Sequence, residues 1–202
     1  LTGYRLPATP AEAIKQQKEI AKKVVAKDVH GGIRLVCGVD VSYRQGVAYC
    51  SAVVTDMDLN VVKHAGTKSK VKQPYIPGLF ILREAGPILR TIKHLDYDLL
   101  LVDGHGQLHT RRCGLACYLG MVADKPAIGV AKSLLCGTVG DDNYVELGGE
   151  PLGYRLEGRK SAYVSVGHKV SLDSAIAIAR RLTKKGEWLP EPLRLADTYS
   201  RL

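Results

Sequence analysis

Near residue 78 the hydrophobic pattern of this chain changes its period, and that change limits the folds open to it. Residues 35–43 and 47–56 are β-rich stretches separated by Gln45-Gly46, a turn pair, and a third stretch lies within 59–70. Three consecutive strands on short connections predict an antiparallel meander. After residue 78 strands alternate with helices. A helix is expected over 78–95, interrupted or kinked at Pro87, with a strand over 98–103 and a helix over 112–124. Further strands are expected over 127–131 and 163–166, and a helix over 172–182 with Ser171 as its N-cap. Residues 9–27 carry Ile14, Ala21, Val24 and Val25 at near-helical spacing and predict an amphipathic first helix. A meander followed by alternation gives an α/β chain with a mixed sheet covered by helices. Residues 137–160, rich in Gly and charge, are expected to form a loop or hairpin insert.

The chain has 202 residues, enough for one domain with a substantial core. No apolar run approaches the ~18 residues of a membrane span. The stretch 1–27 is polar and Lys-rich, without the apolar core of a secretory signal, and the expected location is cytoplasmic. Five cysteines cannot all pair within one chain, and no zinc-type spacing occurs among them, so they are expected to be apolar filling. The net charge of +9 favours contact with phosphates but does not establish it.

Chemistry enters with acids in costly places. Asp40 interrupts the strand Leu35-Val36-Cys37-Gly38-Val39-Asp40-Val41. Asp103 ends Leu99-Leu100-Leu101-Val102 and precedes Gly104-His105-Gly106, at the C-terminal end of a strand where open sheets place their sites. Either residue alone has an ordinary explanation as a turn cap. Two charges buried without a reason are harder to accommodate, so a metal or a partner is expected. Glu84 and Asp197 look like ordinary helix acids taken singly. Four acids on two strands and two helices that converged at one sheet edge would suit Mg²⁺, with Mn²⁺ able to substitute.

Arg34 to Tyr43 resembles the first motif of the endonuclease V family, and Pro74-Tyr75-Ile76-Pro77-Gly78 with Leu82-Arg83-Glu84 resembles its second. Asp103-Gly104-His105-Gly106 with His109, Arg111-Arg112, Gly114-Leu115-Ala116 and Gly120 is similar to the third. Gly129 to Ser133, Ser165 to Ser171 and Pro190 to Asp197 complete the set in order, so the resemblance covers the chain from about residue 10 onward.

The resemblance implies a single RNase H-like endonuclease domain over 1–202. It implies hydrolysis of a strand containing inosine at the second phosphodiester 3′ to that base, on DNA or RNA. Nothing in the sequence demands a dimer, and a monomer is expected. Asp40, Glu84 and Asp103 then correspond to the acidic metal site, and Asp197 to a fourth ligand position that is Asp or His within the family. Lys132 matches a lysine near the scissile phosphate, and His109 a histidine beside metal and base. Pro74, Tyr75, Ile76 and Pro77 match a strand-separating wedge, with Tyr75 and Ile76 able to replace a base in the stack. Gly78 and Gly104, with His109, would line the pocket for the flipped base. His105 and His168 are expected to bond the backbone. Thr110, Cys117 and Tyr118 depart from the family pattern beside the third motif, where they could alter the pocket. Two other readings share the acids: a different RNase H-like nuclease, and a binding module that recognises edited nucleic acid without cutting it.

Overall fold

A computed structural model describes residues 5–202; residues 1–4, the start of the polar N-terminal stretch, lie outside the described part. The first helix, α1 (Pro10–Ala21), starts at Thr9, whose hydroxyl accepts from the Glu12 amide, and ends six residues before the expected limit. The meander follows as β1 (Leu35–Arg44), β2 (Val47–Asp56) and β3 (Val61–Lys70), all antiparallel. Gln45 and Gly46, both at positive φ, make the first turn.

The alternating half begins with α2 (Phe80–Ile92), which runs on through Pro87; the expected interruption is absent. Next, β4 (Leu99–Asp103) lies parallel to β1. Helix α3 (Leu115–Ala123) starts three residues later than expected, because Arg112 takes a left-handed φ of 55° and Gly114 is extended. Strand β5 (Ala127–Ala131) lies parallel to β4. The glycine-rich segment takes the hairpin form of the two expected and goes beyond it. It holds β6 (Thr138–Val139), β7 (Tyr144–Leu147) and β8 (Glu150–Leu156), and β8 pairs with β9 (Ala162–His168), so the segment extends the sheet itself. Helices α4 (Leu172–Arg181) and α5 (Glu191–Ser200) complete the described chain. One nine-stranded mixed sheet results, in the order β3-β2-β1-β4-β5-β9-β8-β7-β6.

Side chains alternate across this sheet, and the alternation decides where the acids face. Cys37, Val39, Leu100 and Val102 pack with α1, α2 and α3 on one face. Val36, Leu99 and Leu101 pack with α4 and α5 on the other. Asp40 and Asp103 share the parity of this second set and so point toward α5. Helix α5 lies unusually close to β1 because Gly38 has no side chain: a Cβ there would sit 2.3 Å from the Pro192 carbonyl carbon. Cys37, Cys50, Cys113 and Cys117 are buried free thiols, the apolar filling expected of them, while Cys136 is only half-buried and departs from that expectation. Among the described residues no helix is long and apolar enough to cross a membrane.

Candidate functional site

Asp40, Asp103 and Asp197 meet at one sheet edge, with carboxylate oxygens within 4.8 Å of one another. Asp40 comes from within β1, Asp103 from the C-terminal end of β4, and Asp197 from α5. Lys132, one residue beyond β5, places its Nζ among all three. It lies 2.5 Å from Asp103 Oδ2, 2.6 Å from Asp197 Oδ1 and 3.6 Å from Asp40 Oδ1. Arg201 holds Asp197 from the next turn of the helix at 2.9 Å. Buried Ser200 donates to Asp40 Oδ2 at 2.7 Å.

The electrostatics follow from crowding charge where water is scarce. Burial pushes the Asp103 carboxyl up to about 7; its hydrogen bond with Asp40 pushes the same way and Lys132 opposes both. Burial works against the Lys132 charge, yet attraction to Asp103 and Asp40 and the hydrogen bonds outweigh it, so its pKa rises. Burial also opposes the charge on Asp197, but Arg201 and Lys132 together hold its pKa below the ordinary value.

Glu84 approaches from α2, on the opposite side of the sheet. Burial and then repulsion from Asp103 raise it to about 8. Its Oε1 accepts from the Tyr43 hydroxyl at 3.2 Å, and it stands beside the three aspartates rather than among them. The cluster fits a hard divalent cation on the chemistry of its donors. They are all carboxylate oxygens at close range, and one positive charge, the Lys132 ammonium, already sits between them.

A cavity of about 220 Å³ opens against this cluster, and Asp103 and Lys132 form part of its wall. Tyr75, Pro77, Gly78, Gly104 and His109 also line it. Tyr75 is 61% exposed and leans on Phe80 with ring centroids 5.4 Å apart. Ile76 instead packs partly on the core, which leaves Tyr75 as the projecting side chain of the 74–77 loop. Gly78 takes φ 76°, where a side chain would be strained. Its carbonyl accepts from His109 Nε2 at 3.0 Å, Arg111 Nη2 at 2.7 Å and Gln17 Nε2 at 3.0 Å. The Nδ1 of His109 accepts from the Arg111 amide, which fixes the Nε2–H tautomer. Burial and the Arg111 charge lower its pKa to about 4, so this imidazole is neutral.

His105 and His168 bond backbone, as expected: His105 Nε2 to the Ser133 carbonyl and His168 Nδ1 to the Val25 amide. Of the three departures from the family pattern, Cys117 and Tyr118 are core residues of α3 and Thr110 is exposed; none lines the cavity. Sequence reasoning missed Gln17, Ser200 and Arg201. For Ser200 and Arg201 a signal existed, since they lie three and four residues after Asp197 on one helix. Gln17 gave none, because its partners Gly78 and Cys113 are 61 and 96 residues away.

Comparison with known proteins agrees with this geometry. A curated relative from Thermofilum pendens, Endonuclease V, is 41% identical over 98% of this chain and 90% of its own length. The crystal structure of Endonuclease V from Streptomyces avermitilis superposes with a TM-score of 0.88 at 35% identity, covering 97% of this chain and 93% of that one. Endonuclease V from Ciona intestinalis, solved with a 24-mer DNA containing an inosine followed by a ribo-adenosine, gives 0.84 at 29% identity over 95% of both chains. The RNase H-like mixed sheet expected from the motifs is the fold these proteins share with it. The Endonuclease V family model matches residues 18–198, and with the acid cluster, the loop and the cavity all in place this chain belongs to that family.

Proposed function

We infer that this chain is a metal-dependent endonuclease that recognises inosine in a nucleic-acid strand and hydrolyses the second phosphodiester 3′ to it, leaving 3′-hydroxyl and 5′-phosphate ends. The observation that carries the reading is the shared wall: Asp103 and Lys132 belong both to the acid cluster and to the cavity. A base seated in that cavity brings its own strand across the acids.

Asp40, Asp103 and Asp197 would hold Mg²⁺, or Mn²⁺ in its place, with Glu84 as the adjoining fourth acid. The ion supplies an activated water and stabilisation of the departing oxygen. The rest falls to the chain itself. Lys132 offsets charge developing on the phosphate. Tyr75, stiffened between Pro74 and Pro77, takes the place of the extruded base, with Ile76 anchoring the loop. Gly78 and Gly104 let backbone donors and acceptors approach the base edge, where hypoxanthine and adenine present opposite hydrogen-bonding patterns. His109, neutral and engaged at both nitrogens, holds Gly78 in place rather than moving a proton. One chain supplies every group, so a monomer suffices, and we take 1–202 as one working domain.

The test is a gel assay of end-labelled strands carrying one inosine, as DNA and as RNA, with and without Mg²⁺. The expected result is a magnesium-dependent nick one nucleotide beyond the inosine and none in adenosine controls. Cutting that ignores inosine would leave a general nuclease, and a retained complex without cutting would leave a binding module.

A further inference from the structure

A second groove, of about 480 Å³, runs between the end of β3 and the outer side of α2, and its chemistry is one-sided. Lys70, Lys72, Arg83 and Arg90 line it, and no acidic residue does. None of these four cations has a carboxylate ion-pair partner among the described residues. Lys70, Lys72 and Arg90 are exposed. Arg83 Cζ lies over the Tyr43 ring, 3.8 Å from its centroid, and its buried Nε has no hydrogen-bond partner. Like charges gathered along one groove repel one another, and an anion long enough to span them relieves that repulsion.

The position of the groove says which anion. Lys72 stands two residues before Pro74, so the groove reaches within about 7 Å of the 74–77 loop. Its other side is α2, where Arg83 adjoins Glu84 of the acid site. The base cavity, by contrast, takes Tyr75 and Pro77 of that loop into its wall and reaches Asp103 and Lys132. A loop that walls a cavity reaching the acid cluster and adjoins a cation-lined groove is placed to divide two paths.

We propose that this groove seats the sugar–phosphate backbone of the second strand, the one that is not cut, where the 74–77 loop parts it from its inosine-containing partner. The proposal rests on the reading of that loop as a strand separator. Cations spaced along a groove bind a strand through its phosphates without reading its bases, which suits a strand whose sequence carries no signal.

The experiment replaces Lys70, Lys72 and Arg90 together by glutamine (K70Q/K72Q/R90Q). A control, K18Q/K22Q, removes exposed charge from α1 and its C-cap. Binding to an inosine duplex and to the same inosine strand alone is measured in Ca²⁺ over a series of salt concentrations. Three contacts to an unpaired strand, at about 0.7 each, would reduce the log–log salt slope on duplex by about 2. The expected result is that loss on duplex, with affinity, salt slope and cleavage on the single strand as in the wild type. An equal loss on the single strand would place the cut strand in the groove and overturn the proposal. No loss on either, or the same loss from the α1 control, would overturn it too. Inosine preference of the wild type is scored separately, so a failure of the functional reading is seen apart from a failure of the groove.

Discussion

The ammonium of Lys132 and a divalent ion compete for the same carboxylate oxygens. Unit charges about 4 Å apart repel by about 4 kcal/mol at an effective dielectric near 20. Lys132 is about a third exposed, and screening cuts that severalfold. Lys132→Met is therefore expected to bind Mn²⁺ about tenfold more tightly while cleaving about 10²–10³-fold more slowly. Calorimetric titration of both proteins with MnCl₂ checks the first part; unchanged or weaker ion affinity would show that the lysine is no competitor. The aspartates themselves should be graded. Ser200→Ala removes only the donor that orients Asp40 and is expected to cost about 10–100-fold in rate. Asp103→Asn removes a direct oxygen donor and should cost more than that, with binding of an inosine strand in Ca²⁺ preserved. Single-turnover rates on one substrate rank the two, and near-normal turnover of Asp103→Asn would remove it from the metal site.

Helix α5 is positioned by an absence. A Cβ on Gly38 would meet only backbone, Pro192 C at 2.3 Å, Pro192 O at 2.5 Å and Leu193 N at 2.7 Å, so α5 would have to retreat by about 1 Å to restore ordinary contact. Gly38→Ala is expected to destabilise by about 1–3 kcal/mol and, by drawing Asp197 away from Asp40, to slow cleavage about 100-fold. Urea unfolding beside cleavage rates separates the two effects, and a loss fully explained by unfolding would leave the helix spacing without a catalytic role. Helix α4 gives a pH prediction. Asp28 accepts from the Ser171 amide and from the Ser171 and Ser174 hydroxyls, and these bonds, the backbone one foremost, hold its pKa below the ordinary 3.8. A depressed carboxylate contributes stability above the unfolded pKa and loses it as pH falls through the folded value. The stability gap between wild type and Asp28→Asn should therefore be constant near neutrality and close below about pH 3.8, read from urea midpoints. The bounds of β2 and β5 were legible in the sequence because alternation and apolar runs are local signals. The start of α3 was not, since nothing announces a left-handed Arg112. For residues 137–160 the sequence left loop and hairpin both open, because short strands rich in Gly and charge have the composition of a loop, and the pairing of β8 with β9 is a tertiary fact. In the site, Asp40 and Asp103 stood out as charges in apolar runs. Glu84 and Asp197 came only through motif resemblance, and Ser200, 160 residues from Asp40, came not at all.

Across the whole molecule the two faces of the sheet divide the work, and the contacts that join them are long in sequence. The α5 face presents the aspartates, while the α1–α3 face carries Glu84, the 74–77 loop and the cavity rim. Gln17 is the tie between the N-terminal helix and that rim. Its amide nitrogen donates to the Gly78 carbonyl and to the Cys113 carbonyl at 2.8 Å, and its oxygen accepts from Arg111 Nε at 2.7 Å. Gln17→Leu keeps the bulk but leaves these groups to find other partners, at about 1–3 kcal/mol for each buried group left unsatisfied. Stability should therefore fall by a few kcal/mol at most, with the fold retained, because Gly78 keeps the His109 and Arg111 donors. The functional consequence should be out of proportion. With one of three restraints gone, the Gly78 backbone no longer meets the base edge in a fixed position, and inosine loses its advantage over adenosine. The expected outcome is a fall in kcat/KM on inosine strands with little change on adenosine strands, and partial rescue by Gln17→Glu is not expected, because a carboxylate cannot donate to either carbonyl. Competition between the two strands in one reaction measures the ratio directly. A uniform loss on both would reduce Gln17 to a packing residue, and an unchanged ratio would mean that His109 and Arg111 alone hold the pocket in register.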